Sequence, residues 1–182
     1  MTARDSGFLS DVEALRVRAR HHIERGAVTG GYRGKVDVVI KLLNEALATE
    51  MICVLRYKRH YFMAKGIHAE PVAAEFLEHA NEEQQHADLI AERIVQLGGE
   101  PDLSPEGLAA RSHSQYVPVN ALVDMIRENL VAERIAIESY LEMIGYLEGR
   151  DPTTRRMLES ILASEEEHAD DLSSLLEGLV PK

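Results

Sequence analysis

The sequence predicts an all-α fold, a bundle of four long helices arranged as two antiparallel hairpins and preceded by a short N-terminal helix. Three observations carry that expectation. Apolar residues recur at three- and four-residue steps over four long stretches. No segment alternates with period two. The chain is also an imperfect tandem repeat: Glu50 precedes Glu83-x-x-His86 by 33 residues, and Glu133 precedes Glu165-x-x-His168 by 32.

Taken in order, Ser10 followed by Glu13 reads as a capping box that opens a short helix. Val12, Leu15, Ala19 and Ile23 share one face of it, and Gly26 ends it. Gly30, Gly31 and Gly34 form a flexible joint, so residues 1–35 read as a helical extension with a Gly-rich linker and residues 36–182 as the bundle. From Val36 to Lys65 the stripe Val36, Ile40, Leu43, Leu47, Val54, Tyr57, Tyr61 predicts the first long helix, which Gly66 stops. Pro71 fits the first turn of the second, whose face includes Phe76, Ala80, Ala87, Ile90, Ile94 and Leu97 before Gly98 and Gly99. A link of a few residues makes these two antiparallel neighbours.

The segment from Gly98 to Val117, rich in Pro, Gly and Ser, is too long for a tight turn and predicts a crossover. The third long helix carries Val119, Leu122, Ile126, Leu130, Ile137, Tyr140, Ile144 and Leu147 and ends near Gly149. Asp151 and Pro152 open the fourth as N-cap and first-turn residue. Its stripe is Leu158, Ile161, Leu162, Ala169, Leu172, Leu175 and Leu176, fraying near Gly178 and Pro181.

Glu50, Glu83, His86, Glu133, Glu165 and His168 fall inside these apolar stripes, as Glu50 does between Leu47 and Val54. An isolated buried carboxylate is costly enough to protonate or be paired. Two divalent metals bring four positive charges against four carboxylates, which leaves a formally neutral site. Residues i and i+3 on a helix point the same way, so each Glu-x-x-His can grip one ion. Oxygen donors with imidazole suit iron or manganese. Glu82, Glu166 and Glu167 lack a histidine three residues later and read as solvated acids, with a place at the outlet of the site as the other reading for Glu82. His60, His68, His79, His113 and the His21/His22 pair lack a matching partner set and read as non-ligands.

Composition narrows the function classes. Thirty-one acids against twenty bases give a formal charge of −11, which repels nucleic acid and attracts divalent cations. Arg4, Arg16, Arg18, Arg20, Arg25, Arg33 and Lys35 make the first 35 residues the exception. A basic arm can hold DNA, but an ordinary solvated helix face accounts for the same charges, and nucleic acid is not an expected partner. No apolar run reaches the roughly 20 residues of a membrane span and no apolar signal core opens the chain, so a cytoplasmic, membrane-free protein is expected. The single cysteine, Cys53, excludes an intramolecular disulfide framework and a Cys-rich metal site.

With these residues in view, positions 36 to 178 resemble the ferritin-like superfamily, and the ligand spacing is similar to that of bacterioferritin. The resemblance implies two iron ions per subunit, with manganese or zinc as substitutes. Glu50 and His86 would be terminal ligands of one ion, Glu133 and His168 of the other, and Glu83 and Glu165 would bridge both. Tyr57, two turns beyond Glu50, matches a tyrosine that packs behind the ligands in that family and reads equally as a core tyrosine. The implied activity is ferroxidase chemistry, in which Fe(II) is oxidised by dioxygen or hydrogen peroxide and then stored or detoxified. The same ligands in a non-storing di-iron or di-manganese oxidase or peroxidase are the alternative, and a DNA-binding structural bundle is a third.

Two departures refine the resemblance. Bacterioferritin holds haem through a methionine directly after the first motif glutamate, where this chain has Gln84, so no haem is expected; Met51, Met63, Met125 and Met143 read as core filling. Only 14 residues follow His168, too few for the added fifth helix of twenty-four-subunit cages. A hollow homo-oligomer is therefore expected, with the twelve-subunit shell of the Dps-like mini-ferritins favoured and a dimer or twenty-four-mer as alternatives.

Overall fold

The computed structural model describes residues 11–179. Six α-helices carry the fold among them: α1 (Val12–Arg20), α2 (Val36–Met63), α3 (Ala69–Gln96), α4 (Leu108–Arg111), α5 (Leu122–Leu147) and α6 (Pro152–Leu179). The expected four-helix bundle is formed by α2, α3, α5 and α6. α2 lies along α3 and α5 along α6, each pair joined by a short link. No helix among the described residues is long and apolar enough to cross a membrane.

The apolar stripes meet in two core clusters rather than one. At one end Leu43, Leu47, Ile90, Ile94, Leu147 and Leu158 pack together, and at the other Tyr57, Phe76, Met125, Ile126 and Leu172 do so. Full burial of such a side chain stabilises the fold by roughly 1.5–3 kcal/mol. Between the clusters every long helix contributes a polar residue: Glu50 on α2, Glu83 and His86 on α3, Glu133 on α5, Glu165 and His168 on α6. The bundle therefore has an ionisable layer sandwiched between two greasy ones.

The crossover is held to α2 by polar side chains. Asn44 clamps it at both polarities, donating to the Glu100 carbonyl (3.2 Å) and accepting from the Asp102 amide (2.7 Å). Arg59 binds the Val119 carbonyl and the Asn120 side chain at 2.7 and 2.8 Å, which keeps both residues outside α5. The third long helix thus opens at Leu122, later than the Val119 that its apolar stripe suggests. The crossover also contains the four-residue α4, opened by Gly107 at φ 72° and too short to show a sequence period. Where the chain leaves α3, a Cβ on Gly99 would sit 2.8 Å from the Ile40 side chain, so any larger residue here would force Ile40 to move.

The N-terminal region departs further from expectation. Asp11 caps α1 by accepting from the Glu13 amide (2.9 Å), while the expected cap Ser10 lies outside the described residues. The helix stops at Arg20, because His22 at φ 55° breaks it before a 3-10 turn over Ile23–Arg25. None of its residues is buried. Contact with the bundle comes instead from the linker, where Val28 and Tyr32 pack on the first core cluster.

Tyr32 also donates to Asp151 (2.9 Å), the residue that opens α6 by accepting from the Thr154 amide (2.9 Å). Both Asp151 oxygens accept from Arg93 of α3 at 3.1 Å, so one buried carboxylate ties linker, α3 and α6 together. Burial pushes this carboxyl up, but the Thr154, Tyr32 and Arg93 donors outweigh it and hold it below its usual value. Its stabilisation is accordingly complete above the unfolded-chain value of about 3.9 and fades as pH falls through the folded one. Asp151→Ala is expected to lose about 3–5 kcal/mol at neutral pH by chemical denaturation, since it leaves the Arg93 guanidinium buried without its partner. That deficit should shrink under acid, and a neutral-pH loss below about 1 kcal/mol, the size of an exposed pair, would contradict the assignment.

Candidate metal centre

The six residues singled out by the repeat converge in the layer between the two core clusters, and all six are buried. His86 Nδ1 lies 3.0 Å from Glu165, 3.4 Å from Glu83 and 3.6 Å from Glu50. His168 Nδ1 lies 3.7 Å from Glu165, 3.9 Å from Glu83 and 4.0 Å from Glu133. Each imidazole therefore faces three carboxylates, two of which are common to both. The donor atoms of Glu50, Glu83, His86 and Glu165 all fall within 4.8 Å of one another, as do those of Glu83, Glu133, Glu165 and His168. These are two overlapping cradles, each able to hold a cation, with Glu83 and Glu165 in common.

Most of the inward-facing atoms find no hydrogen-bond partner in the protein. Glu50 Oε2, Glu83 Oε1, Glu133 Oε2, both Glu165 oxygens and His168 Nδ1 are buried and unpaired. The His86 contact with Glu165 is close in distance but lacks hydrogen-bond alignment. So many unsatisfied acceptors, each costing roughly 1–3 kcal/mol or more when charged, call for a cation. The donor set, carboxylate oxygen with imidazole nitrogen, suits iron or manganese.

Electrostatics point the same way. Burial, then the charges of Glu165 and Glu50, pushes Glu83 well above the ordinary carboxylate range, and burial with Glu165 does the same to Glu133. Burial also works against an ionised Glu165, yet His168 and His86 outweigh it and hold that carboxyl low. Burial opposes charge on the imidazoles, but Glu165 and Glu50 lift His86 to about 10, and Glu165, Glu133 and Glu82 lift His168 to about 9. Four ionised carboxylates cannot share this layer unless positive charge, as protons or as metal ions, is supplied.

Two tyrosines fasten Glu133 and Glu50 from the outside, and they do so reciprocally. Tyr57 of α2 donates to Glu133 of α5, and Tyr140 of α5 donates to Glu50 of α2. Each tyrosine stands seven residues after the glutamate of its own helix, so the tandem repeat extends to them. Tyr57 is the position marked in the sequence. Tyr140 reads there only as part of an apolar stripe, although its matching offset was a signal for the same role.

Three further residues take positions that sequence alone does not show. Glu82, expected to be solvated, places Oε2 2.6 Å from His168 Nε2 and so orients that ring from the side opposite the cradle. His79 is buried, stacks on His168 with ring centroids 4.0 Å apart, and has Glu75 and Asp171 as neighbours. Arg56 is a buried cation that donates to Asn129 (3.0 Å), Ser114 (2.9 Å) and the Gln115 carbonyl (3.0 Å), joining α2 to α5 and to the crossover. Its partners lie 58 to 73 residues away in sequence. Glu166 and Glu167 are exposed, as expected, while His60 contacts Asn129 and His113 contacts Ser139. Gln84, at the position of the family's haem methionine, donates to Asp88 (3.0 Å).

The layer approaches solvent at its His86 edge. A depression of about 210 Å³ between α3 and α6 is lined by Glu82, Gln85, His86, Ser160 and Ser164 among others.

Comparison with known proteins agrees with the architecture. Residues 40–180 match the family model described as the ferritin-like domain. A DNA protection during starvation protein of Pyrococcus furiosus is 31% identical over 147 residues, 79% of each chain. A bacterioferritin of Desulfovibrio desulfuricans is 32% identical over 141 residues, covering 78% of this chain and 75% of its own. Among solved structures, a dodecameric thioferritin, the bacterioferritin-related protein of Bacteroides fragilis, superposes with a TM-score of 0.78 at 36% identity, covering 81% of this chain and 89% of that one. Dps of Thermosynechococcus elongatus has the same fold, with a TM-score of 0.75 at 20% identity over 80% of this chain and 96% of that one. Four long helices, an inter-hairpin crossover and the family match over most of the chain make this protein a member of the ferritin-like family.

Proposed function

We propose that the chain is a ferroxidase that oxidises Fe(II) at an intra-subunit di-iron site and stores or detoxifies the product. The observation that carries this reading is the set of buried carboxylate oxygens with no protein partner, shared between two cradles. Glu50 with His86 would hold one Fe(II) and Glu133 with His168 the other. Glu83 and Glu165 would lie between the ions and hold them as a pair. Two adjacent Fe(II) ions supply two electrons together, enough to reduce dioxygen to hydrogen peroxide or hydrogen peroxide to water.

The protein's own part is positioning and charge balance. Binding Fe(II) displaces the protons that would otherwise neutralise the layer, because carboxylates and imidazoles ligate in their deprotonated forms. Tyr57 and Tyr140 restrain Glu133 and Glu50 so that one oxygen of each points inward. The two core clusters keep bulk water from both ends of the pair.

A homo-oligomer, in the cytoplasm and hollow enough to hold oxidised iron, completes the reading. Phe62, Ile67, Leu55, Val131 and Leu141 are large apolar side chains exposed on the subunit, surface that packing against further copies would cover. The dodecameric state of the Bacteroides fragilis relative, 36% identical, supports a twelve-subunit shell. The same cradles would serve a non-storing di-iron or di-manganese oxidase, which differs in holding no more than two metals per chain.

Glu50→Ala and Glu133→Ala are each expected to abolish rapid Fe(II) oxidation while the circular dichroism stays helical; unchanged kinetics in both variants would refute the assignment. Tyr140→Phe should slow oxidation by about 10–100-fold, as Tyr57→Phe should, because each removes the hydrogen bond that orients a ligand. A marked effect of Tyr57→Phe alone would disprove the reciprocal arrangement. Aerobic Fe(II) loading followed by sizing and metal counting should give far more than two irons per chain in a large particle. A small particle that saturates at two would select the non-storing oxidase.

A further inference from the structure

Beside the di-metal layer lies a second convergence of donor atoms that the proposed chemistry does not use. His79 is only 2% exposed, and its Nδ1 is 3.2 Å from the Tyr57 hydroxyl. Tyr57 gives its single proton to Glu133, so toward the imidazole the hydroxyl can only accept. Nδ1 therefore carries the ring proton, and in the neutral imidazole Nε2 presents a lone pair. That lone pair faces two more acceptors, Glu75 Oε1 at 3.2 Å and Asp171 Oδ2 at 3.9 Å. A proton on Glu75 would satisfy one of these contacts and leave Asp171 idle, whereas a divalent cation would engage all three.

We propose that Glu75, His79 and Asp171 form a third divalent-cation site, built from one imidazole and two carboxylates on α3 and α6. Their donor atoms lie within 4.8 Å of one another. Glu75 precedes His79 by one helical turn, and Asp171 reaches in from the neighbouring helix, so the bundle packing itself fixes the cradle. The buried histidine forms the floor, and the carboxylates, with side chains 30% and 47% exposed, form the rim. A groove of about 400 Å³ bordered by Glu75, Asp171, Ser174 and His68 opens the rim to solvent.

Local charge favours a cation there. Burial first, and then the carboxylates of Asp171, Glu78 and Glu82 against an opposing His168, hold the Glu75 carboxyl above the ordinary range. Three protein donors leave a coordination position for water, and the mixed set suits Zn(II), Fe(II) or Mn(II). The site is separate from the six-residue layer yet adjoins it, since His79 stacks on His168 and Glu82 bonds that same ring.

Zn(II), which has no redox chemistry, tests the site on the full-length protein by equilibrium dialysis and by anomalous diffraction at the zinc edge. The wild type is expected to bind three Zn(II) per chain and the E75Q/D171N double variant two. The wild-type anomalous map should show a peak about 2.0–2.2 Å from His79 Nε2. An undiminished zinc count in E75Q/D171N, or a wild-type map with no peak at His79, overturns the proposal, and the map decides even if the double variant folds poorly. Failure of the ferroxidase reading would look different: the peak at His79 would persist while the layer around Glu83 and Glu165 stayed unoccupied.

Discussion

Four carboxylates packed into one layer at the middle of a helical bundle set the terms for everything else in this fold. In water such groups repel weakly; between two apolar clusters their repulsion and desolvation would each cost several kcal/mol. The bundle tolerates them because two imidazoles share the layer and because two tyrosine hydroxyls hold one oxygen of Glu50 and one of Glu133 from outside. Apart from Glu83 Oε2, which contacts His86, the remaining oxygens have no hydrogen-bond partner in the protein. A pair of divalent cations is the neutralising element that this geometry accommodates best, and the helices are arranged so that each cation would be gripped from three or four directions.

The layer also explains why the core comes in two pieces. Each long helix carries its apolar stripe on either side of a polar position, so the stripes close into separate clusters above and below the carboxylate layer. Packing at both ends hems in the side chains of the layer between them. Further ties lie away from the layer: Asp151 with Arg93 at the start of α6, and Arg56 between α2, α5 and the crossover. Both are buried ionic groups with several hydrogen bonds, the form in which buried charge is best tolerated.

Much of this was legible in the sequence because it is periodic. Four apolar stripes, the Gly and Pro punctuation between them, and a Glu then Glu-x-x-His repeated about 83 residues on are local patterns that a helix converts directly into one face. Tyr140 obeys the same repeat, but an aromatic residue on an apolar stripe looks like core until its hydroxyl has a partner. Glu82 was legible only as a residue that could stand at the outlet, and His79 not at all, since their contacts are with His168 and Asp171 on a neighbouring helix. Arg56 depends in the same way on Asn129 and Ser114. At the N-terminus the stripe suggests one helix through Ile23, but the helix ends at Arg20; Val12, Leu15 and Ile23 are all unburied, and Val28 and Tyr32 of the linker pack on the bundle instead.

The central claim, that six side chains from four helices hold a pair of ions, is tested most directly by anomalous diffraction at the iron edge from crystals loaded anaerobically with Fe(II). The account predicts two peaks inside the layer, about 3.5–4 Å apart, one beside His86 and Glu50 and the other beside His168 and Glu133. Iron found only on surface carboxylates, with no density between Glu83 and Glu165, would contradict it.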